Sequence, residues 1–172
     1  LGQGRADHGP TGLVNGPVQT VMKLCLDAVF TAQGRLNMPY PPLPRTLSTA
    51  RTLLVRPAPA FAQQVHQALL HSYTLHQPFL EWAKPDWTLD EVRDNLQTSA
   101  ETFHELTKEK RYFVLAPDSG EVIGCIGLTP GDGAYEVGYW VNQACAGQGL
   151  MRAALTCLLD AVAAPVWPTT AA

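Results

Sequence analysis

The chain has 172 residues, 46% of them hydrophobic, and carries 12 Lys and Arg against 15 Asp and Glu for a formal net charge of −3. That is the length of one domain, with enough apolar surface for a packed core. It excludes a nucleic-acid interface built on a basic face, which needs clustered Lys and Arg to meet phosphates, and no apolar run reaches the length that spans a bilayer.

In chain order, residues 1–17 are rich in Gly and Pro and carry no periodicity. In 18–33, Val18, Val21, Met22, Cys25, Val29 and Ala32 recur at helical spacing, which predicts a short helix. P-Y-P-P-L-P at 39–44 predicts a stiff extended linker. Residues 51–56 predict a strand stopped by Pro57 and Pro59, and Phe61, Val65, Ala68, Leu69 and Ser72 mark a helix face. The stretch 73–87, with Pro78, Trp82, Pro85 and Trp87, reads as irregular. Thr88-Leu89-Asp90-Glu91 is a capping box, and Leu89, Val92, Leu96, Ala100, Phe103 and Leu106 extend a helix behind it.

Two strands follow, at 112–116 and 121–128, joined into a hairpin by Pro117-Asp118-Ser119-Gly120. A second turn at 130–133 leads to a strand at 134–141. A glycine-bearing turn then opens a helix from Leu150 to about Ala163, beyond which Pro165 and Pro168 stop it. The order β-α-α-β-β-β-α predicts an α/β domain (α+β in its layering): a mixed, mainly antiparallel sheet flanked by helices.

The strand–turn–helix at 135–159 carries the chemistry. It aims the unpaired N–H groups of a helix N-terminus, at the positive end of the macrodipole, at one point, which is a site for phosphate. Gly147 and Gly149 let the backbone turn tightly and approach an anion. The dinucleotide fingerprint fails, because its third glycine falls on Arg152, and the nucleotide-triphosphate loop fails, because Leu150 and Met151 follow Gly149. The four cysteines (Cys25, Cys125, Cys145, Cys157) show no C-x-x-C, which argues against a zinc ribbon or disulfide scaffold and for reduced thiols in the cytoplasm. Cys145 lies beside the predicted helix N-terminus, where thiol pKa values fall. The five histidines, at 8, 66, 71, 76 and 104, lack paired metal spacing and read as surface or edge residues; no metal is expected.

Y-E-V-G-Y-W-V at 135–141 followed by G-Q-G and a helix resembles the phosphate-binding motif of the GNAT N-acetyltransferases, in their RimJ/RimL-like branch. L-E-W-A at 80–83 resembles that branch before its second helix, and the hairpin at 111–128 its second and third strands. The family motif, Gln/Arg-x-x-Gly-x-Gly/Ala, falls on Ala146, Gly147, Gln148, Gly149, Leu150 and Met151, and departs from the pattern at Ala146 and Met151. The resemblance places a domain at 49–164 between an extension at 1–48 and a tail at 165–172. It also implies that the C-terminal strands of the family are lacking, so that the strand ending at Val141 exposes an edge for the N-terminal extension, or a second copy of the chain in a homo-oligomer, to cover.

The implied reaction moves an acetyl group from acetyl-coenzyme A, as co-substrate, to a primary amine such as a protein N-terminus. The acceptor is the one partner expected, with no nucleic acid and no membrane. The resemblance gives Glu136 the role of general base. Strand alternation puts it on one face with Gly138 and Trp140, where the indole would desolvate it. Tyr139 is the candidate acid for the leaving thiolate, since no serine follows Ser119. Strand residues from Gly138 on, among them Trp140, Val141 and Asn142, would line the pantetheine arm, residues 146–151 the pyrophosphate, and Trp82 and Trp87 the acceptor. Two other readings stay open: a shortened, non-catalytic member that binds an acyl-coenzyme A or oligomerises, and a fragment with no role of its own.

Overall fold

The computed structural model describes residues 22–25, 43–130 and 134–163. Its strands are β1 (Met22–Cys25), β2 (Thr46–Ser48), β3 (Leu53–Val55), β4 (Lys110–Leu115), β5 (Val122–Pro130) and β6 (Ala134–Val141). The helices are α1 (Ala62–His71), the single turn α2 (Tyr73–His76), α3 (Leu89–Glu101) and α4 (Leu150–Ala163). One sheet holds all six strands in the order β1-β6-β5-β4-β3-β2, and every described pairing is antiparallel. The α/β architecture is therefore the one expected, a mainly antiparallel sheet flanked by helices.

Alternation along the strands separates two cores. Tyr112, Val114, Ile126, Leu128 and Val137 pack with Ala154, Leu158 and Val162 of α4. Phe113, Leu115 and Cys125 face the other way, against Val65 and Leu69 of α1 and Val92 and Leu96 of α3. Each fully buried aliphatic side chain of this kind contributes about 1.5–3 kcal/mol relative to exposure.

The hairpin turn forms where its sequence predicts. Gly120 takes φ 68° and donates its N–H to the Ala116 carbonyl at 2.8 Å. The predicted strand at 134–141 and helix from Leu150 to Ala163 match β6 and α4. Strand β2 is an addition beyond the predicted linker. It turns back onto β3 through Thr49 and the fully buried Thr52, whose hydroxyls hydrogen-bond at 2.7 Å.

The N-terminal helix is corrected at its centre. Residues Met22–Cys25 form a strand whose register sets Met22 opposite Val137 and Cys25 opposite Ala134. The rest of 18–33 lies outside the described residues. A strand forms here because β6 offers an open ladder edge whose N–H and C=O groups need partners. Thus the chain's own extension covers the first half of the β6 edge. No helix among the described residues is long and apolar enough to cross a membrane.

The capping box of α3 is present in full. Thr88 Oγ1 accepts from Glu91 N–H at 3.2 Å, and the Glu91 carboxylate accepts from Thr88 N–H at 2.8 Å. A hydrogen bond from Lys84 Nζ at 2.6 Å, and then the Thr88 N–H, hold the Glu91 carboxyl down at about 2. A carboxylate lowered in the folded state contributes stability above its unfolded value of about 4.3, and that contribution drains away as pH falls towards about 2. Melting followed through this acid window is expected to show a shallower loss for Glu91→Gln than for the unmodified chain; parallel curves would reject the assignment.

Candidate active site

Between β6 and α4 the chain makes a 3-10 turn, Gln143–Cys145, then a second turn on Gly147 and Gly149. These two glycines take φ 74° and 73°, a conformation that costs other residues about 1–2 kcal/mol. The N-terminus of α4 opens directly after them. Arg51 Nη1 donates to the Gln148 carbonyl at 3.3 Å, and a Cβ on Gly149 would stand 3.8 Å from Arg152 Nη2. The turn thus combines helix N–H groups with two guanidiniums, the donor set an anion demands.

A cavity of about 220 Å³ opens over this turn. Gly147, Gly149, Leu150, Met151 and Arg152 line one side, and Leu75, His76 and Phe79 the other. A second cavity, of about 280 Å³, lies on the face of the sheet that carries α1 and α3. Trp82 and Trp87 border it, with Glu109 and Arg111 in its wall and Gly127 and Gly138 in its floor. Tyr139 and Trp140 line both cavities, so the two meet at the C-terminal half of β6.

That end of β6 is held from the helical side. Ser72 and His76, one helical turn apart, both reach it: Ser72 Oγ accepts from Gln143 N–H at 2.9 Å, and His76 Nε2 donates to the Val141 carbonyl at 2.8 Å. A carbonyl only accepts, so Nε2 carries a proton. Burial, first, pushes the His76 pKa below its ordinary value, and the bond to Val141 offsets this in part. His76 also meets Trp140 edge-on, with ring centroids 5.7 Å apart, and Trp82 at 6.4 Å. The reading of every histidine as a surface or edge residue is therefore corrected: His76 is 5% exposed and lines the first cavity. The spacing of Ser72 and His76 by four residues was the available signal.

Of the residues expected to hold the carrier, Trp140, Val141, Gly147, Gly149, Leu150 and Met151 line the first cavity. Asn142, Ala146 and Gln148 do not line it. Asn142 is buried and works internally: its N–H reaches Ile123 O at 2.7 Å, and its side chain donates to Val122 O and caps the Ala144 N–H. Gln148 is exposed and donates from Nε2 to the Ala144 carbonyl. The Asn142–Ile123 bond fixes the ladder alternation, so Trp140 turns its backbone to β5, and Tyr139 and Val141 turn theirs outward.

Glu136 shares a face with Gly138 and Trp140 as expected, yet its side chain is exposed and lines neither cavity. The burial expected beside Trp140 is absent because that indole turns to Phe113 and His76. Cys145 also departs from expectation. Burial, then the Glu121 charge, raise its pKa rather than lower it. Trp82 is 45% exposed, whereas Trp87 is half-buried with Lys84 Nζ 4.5 Å above its ring. Among the described residues no cluster of His, Cys, Asp or Glu fits a metal ion.

A family model for the acetyltransferase (GNAT) domain matches residues 51–171. Among solved structures, the chain resembles RimL, the ribosomal L7/L12 α-N-protein acetyltransferase, in complex with coenzyme A. Identity there is 22% and the TM-score 0.58, over 67% of this chain and 66% of that one. It resembles the Salmonella typhimurium acetyltransferase that modifies the N-terminal serine of L7/L12, with 20% identity and a TM-score of 0.53 over 65% and 63% of the two chains. It also resembles the microcin C7 self-immunity acetyltransferase MccE bound to acetyl-CoA and AMP, with 16% identity and a TM-score of 0.58 over 65% and 62%. The chain thus spans less than two thirds of the length of each, and at these identities the likeness is one of fold. No curated protein matches the sequence.

A buried histidine that resists protonation makes the folded state less stable in acid. The unfolded chain takes up a proton at about 6.5 that folded His76 refuses, so stability falls as pH drops below that value. Urea unfolding at about pH 7.5 and about pH 5.5 is expected to show this loss in the unmodified chain and a smaller one in His76→Gln, which keeps a donor but does not titrate. Equal losses would refute the account.

Proposed function

Because the chain belongs to the GNAT family of acetyltransferases, we propose that it transfers an acetyl group from acetyl-coenzyme A to a primary amine. The observation that carries this reading is the meeting of the two cavities at Tyr139 and Trp140. One cavity ends in an anion-binding helix N-terminus, and the other lies in the aromatic-walled face of the sheet. A thioester whose diphosphate sits at Gly147 and Gly149 brings its acyl end along the outward-facing edge of β6 to that meeting point.

The residues fit the carrier. The N–H groups of α4 and Arg152 suit the diphosphate, Leu75, Phe79 and Met151 suit the aliphatic part of the arm, and the outward N–H of Val141 suits one of its amide carbonyls. In the reaction the neutral amine attacks the thioester carbon, a C–N bond forms, the C–S bond breaks and the sulfur leaves with its electron pair. We assign the ammonium proton to Glu136 by way of water, since the carboxylate is exposed two residues along the strand from Gly138, and the proton for the thiolate to Tyr139. An acceptor on a protein N-terminus, as in the ribosomal-protein acetyltransferases, is the finer form of this proposal. The free thiols Cys125, Cys145 and Cys157 suit a cytoplasmic setting.

Ligand that binds only the folded state raises the melting midpoint by mass action, by about 2.7 kcal/mol at a hundredfold excess over Kd. Saturating coenzyme A is expected to raise the midpoint by several degrees, and Arg152→Ala to weaken the affinity about 3- to 10-fold. No shift at millimolar coenzyme A would sink the proposal. For catalysis, Glu136→Gln is expected to lower kcat about 100-fold on an amine that is turned over while leaving the coenzyme A shift in place; unchanged kcat would move the base elsewhere.

A further inference from the structure

The second cavity has a floor without side chains. Gly127 and Gly138 stand opposite each other in the β5–β6 register, and Arg111 stands opposite Gly127 on β4. A Cβ on Gly138 would meet nothing within 4 Å, whereas one on Gly127 would collide with Glu109 Oε1. The carboxylate of Glu109 therefore lies over the strand because position 127 carries no side chain. Its other oxygen is fixed: Arg111 Nε donates to Oε2 at 2.6 Å. Arg111 is itself held by Asn95 Oδ1 at 2.6 Å and Ser99 Oγ at 3.2 Å from Nη1. Oε1 has no hydrogen-bond partner among the described residues. Glu109 is also the single carboxylate in the lining of this cavity.

These features together describe a receptor for a cation. Arg111 gives its Nε and Nη1 protons to Glu109, Asn95 and Ser99, which orients the carboxylate. Beside Oε1 lies the open space over Gly138, next to Tyr139, where the two cavities meet. Trp82 and Trp87 border the same cavity and give apolar surface to the carbon stem of such a cation. We infer that Glu109 selects the acceptor: it takes a cationic primary amine, with the ammonium over Gly138 against Oε1 and the stem bordered by the two tryptophans. This inference rests on the reading of the second cavity as the acceptor site.

The test is a comparison of phenethylammonium with its uncharged analogue 2-phenylethanol, titrated against the full chain and followed by indole fluorescence. The unmodified chain is expected to bind the ammonium about 10-fold more tightly than the alcohol, and Glu109→Gln, which keeps an acceptor for Arg111 Nε, to lose that preference. A preference absent from the unmodified chain, or retained in Glu109→Gln, overturns the inference. Should Glu109→Gln melt without cooperativity, Gly138→Val carries the test, because it fills the space beside Oε1 without touching the ion pair. Ammonium binding weakened about 10-fold supports the inference and unchanged binding overturns it. An intact, Glu109-dependent preference in a chain that neither shifts with coenzyme A nor transfers acetyl groups would sink the transferase reading while supporting Glu109 as the cation-binding group.

Discussion

The site depends on the fixed C-terminal end of β6. A strand end that leads into a glycine turn would fray on its own, since Gly147 and Gly149 place few limits on the backbone. Here it is tied from two sides. Asn142 bonds back to β5 through Ile123 and Val122, and Ser72 and His76 clamp Gln143 and Val141 from the helical side. Because Asn142, Ser72 and His76 are buried, a bond lost there would leave a polar side chain without solvent and cost about 1–3 kcal/mol. The clamp fixes the direction in which α4 starts, and with it the point at which its N–H groups converge.

From that fixed point the two cavities divide the chemistry. The glycine turn and Arg152 lie on one side of β6, and Glu109 and the two tryptophans on the other. Trp140 separates them while joining the aromatic contacts that run from Phe61 through Phe113 to His76. In the proposed reaction the carrier's diphosphate takes the glycine turn and the acceptor amine comes to the space over Gly138, so that the reacting atoms meet beside Tyr139 and Trp140.

Local signals in the sequence translated well where the physics is local. The hairpin at Pro117 to Gly120, the capping box at Thr88 and Glu91, the strand ending at Val141 and the helix starting at Leu150 each depend on neighbours within about four residues. The segment at 18–33 misled for the complementary reason. Its apolar spacing fits a helix, yet Met22–Cys25 pairs with β6, because the partner that settles its conformation lies more than a hundred residues away. His76 was misplaced in the same way. Its four-residue spacing from Ser72 was the one local mark; the contacts with Val141, Trp140 and Trp82 supply the burial.

The sequence alone therefore determined the α/β order of elements, the strand–turn–helix with its two glycines and the resemblance on which the carrier was expected, since these are written in short-range backbone preferences and side-chain period. Only the tertiary structure decided that the extension covers the first half of the β6 edge, that Glu136 lies out in solvent and that Glu109 lies over Gly127. Those facts come from residues far apart in the chain that meet because the sheet buries its two faces, and no periodicity along one strand encodes what stands opposite it.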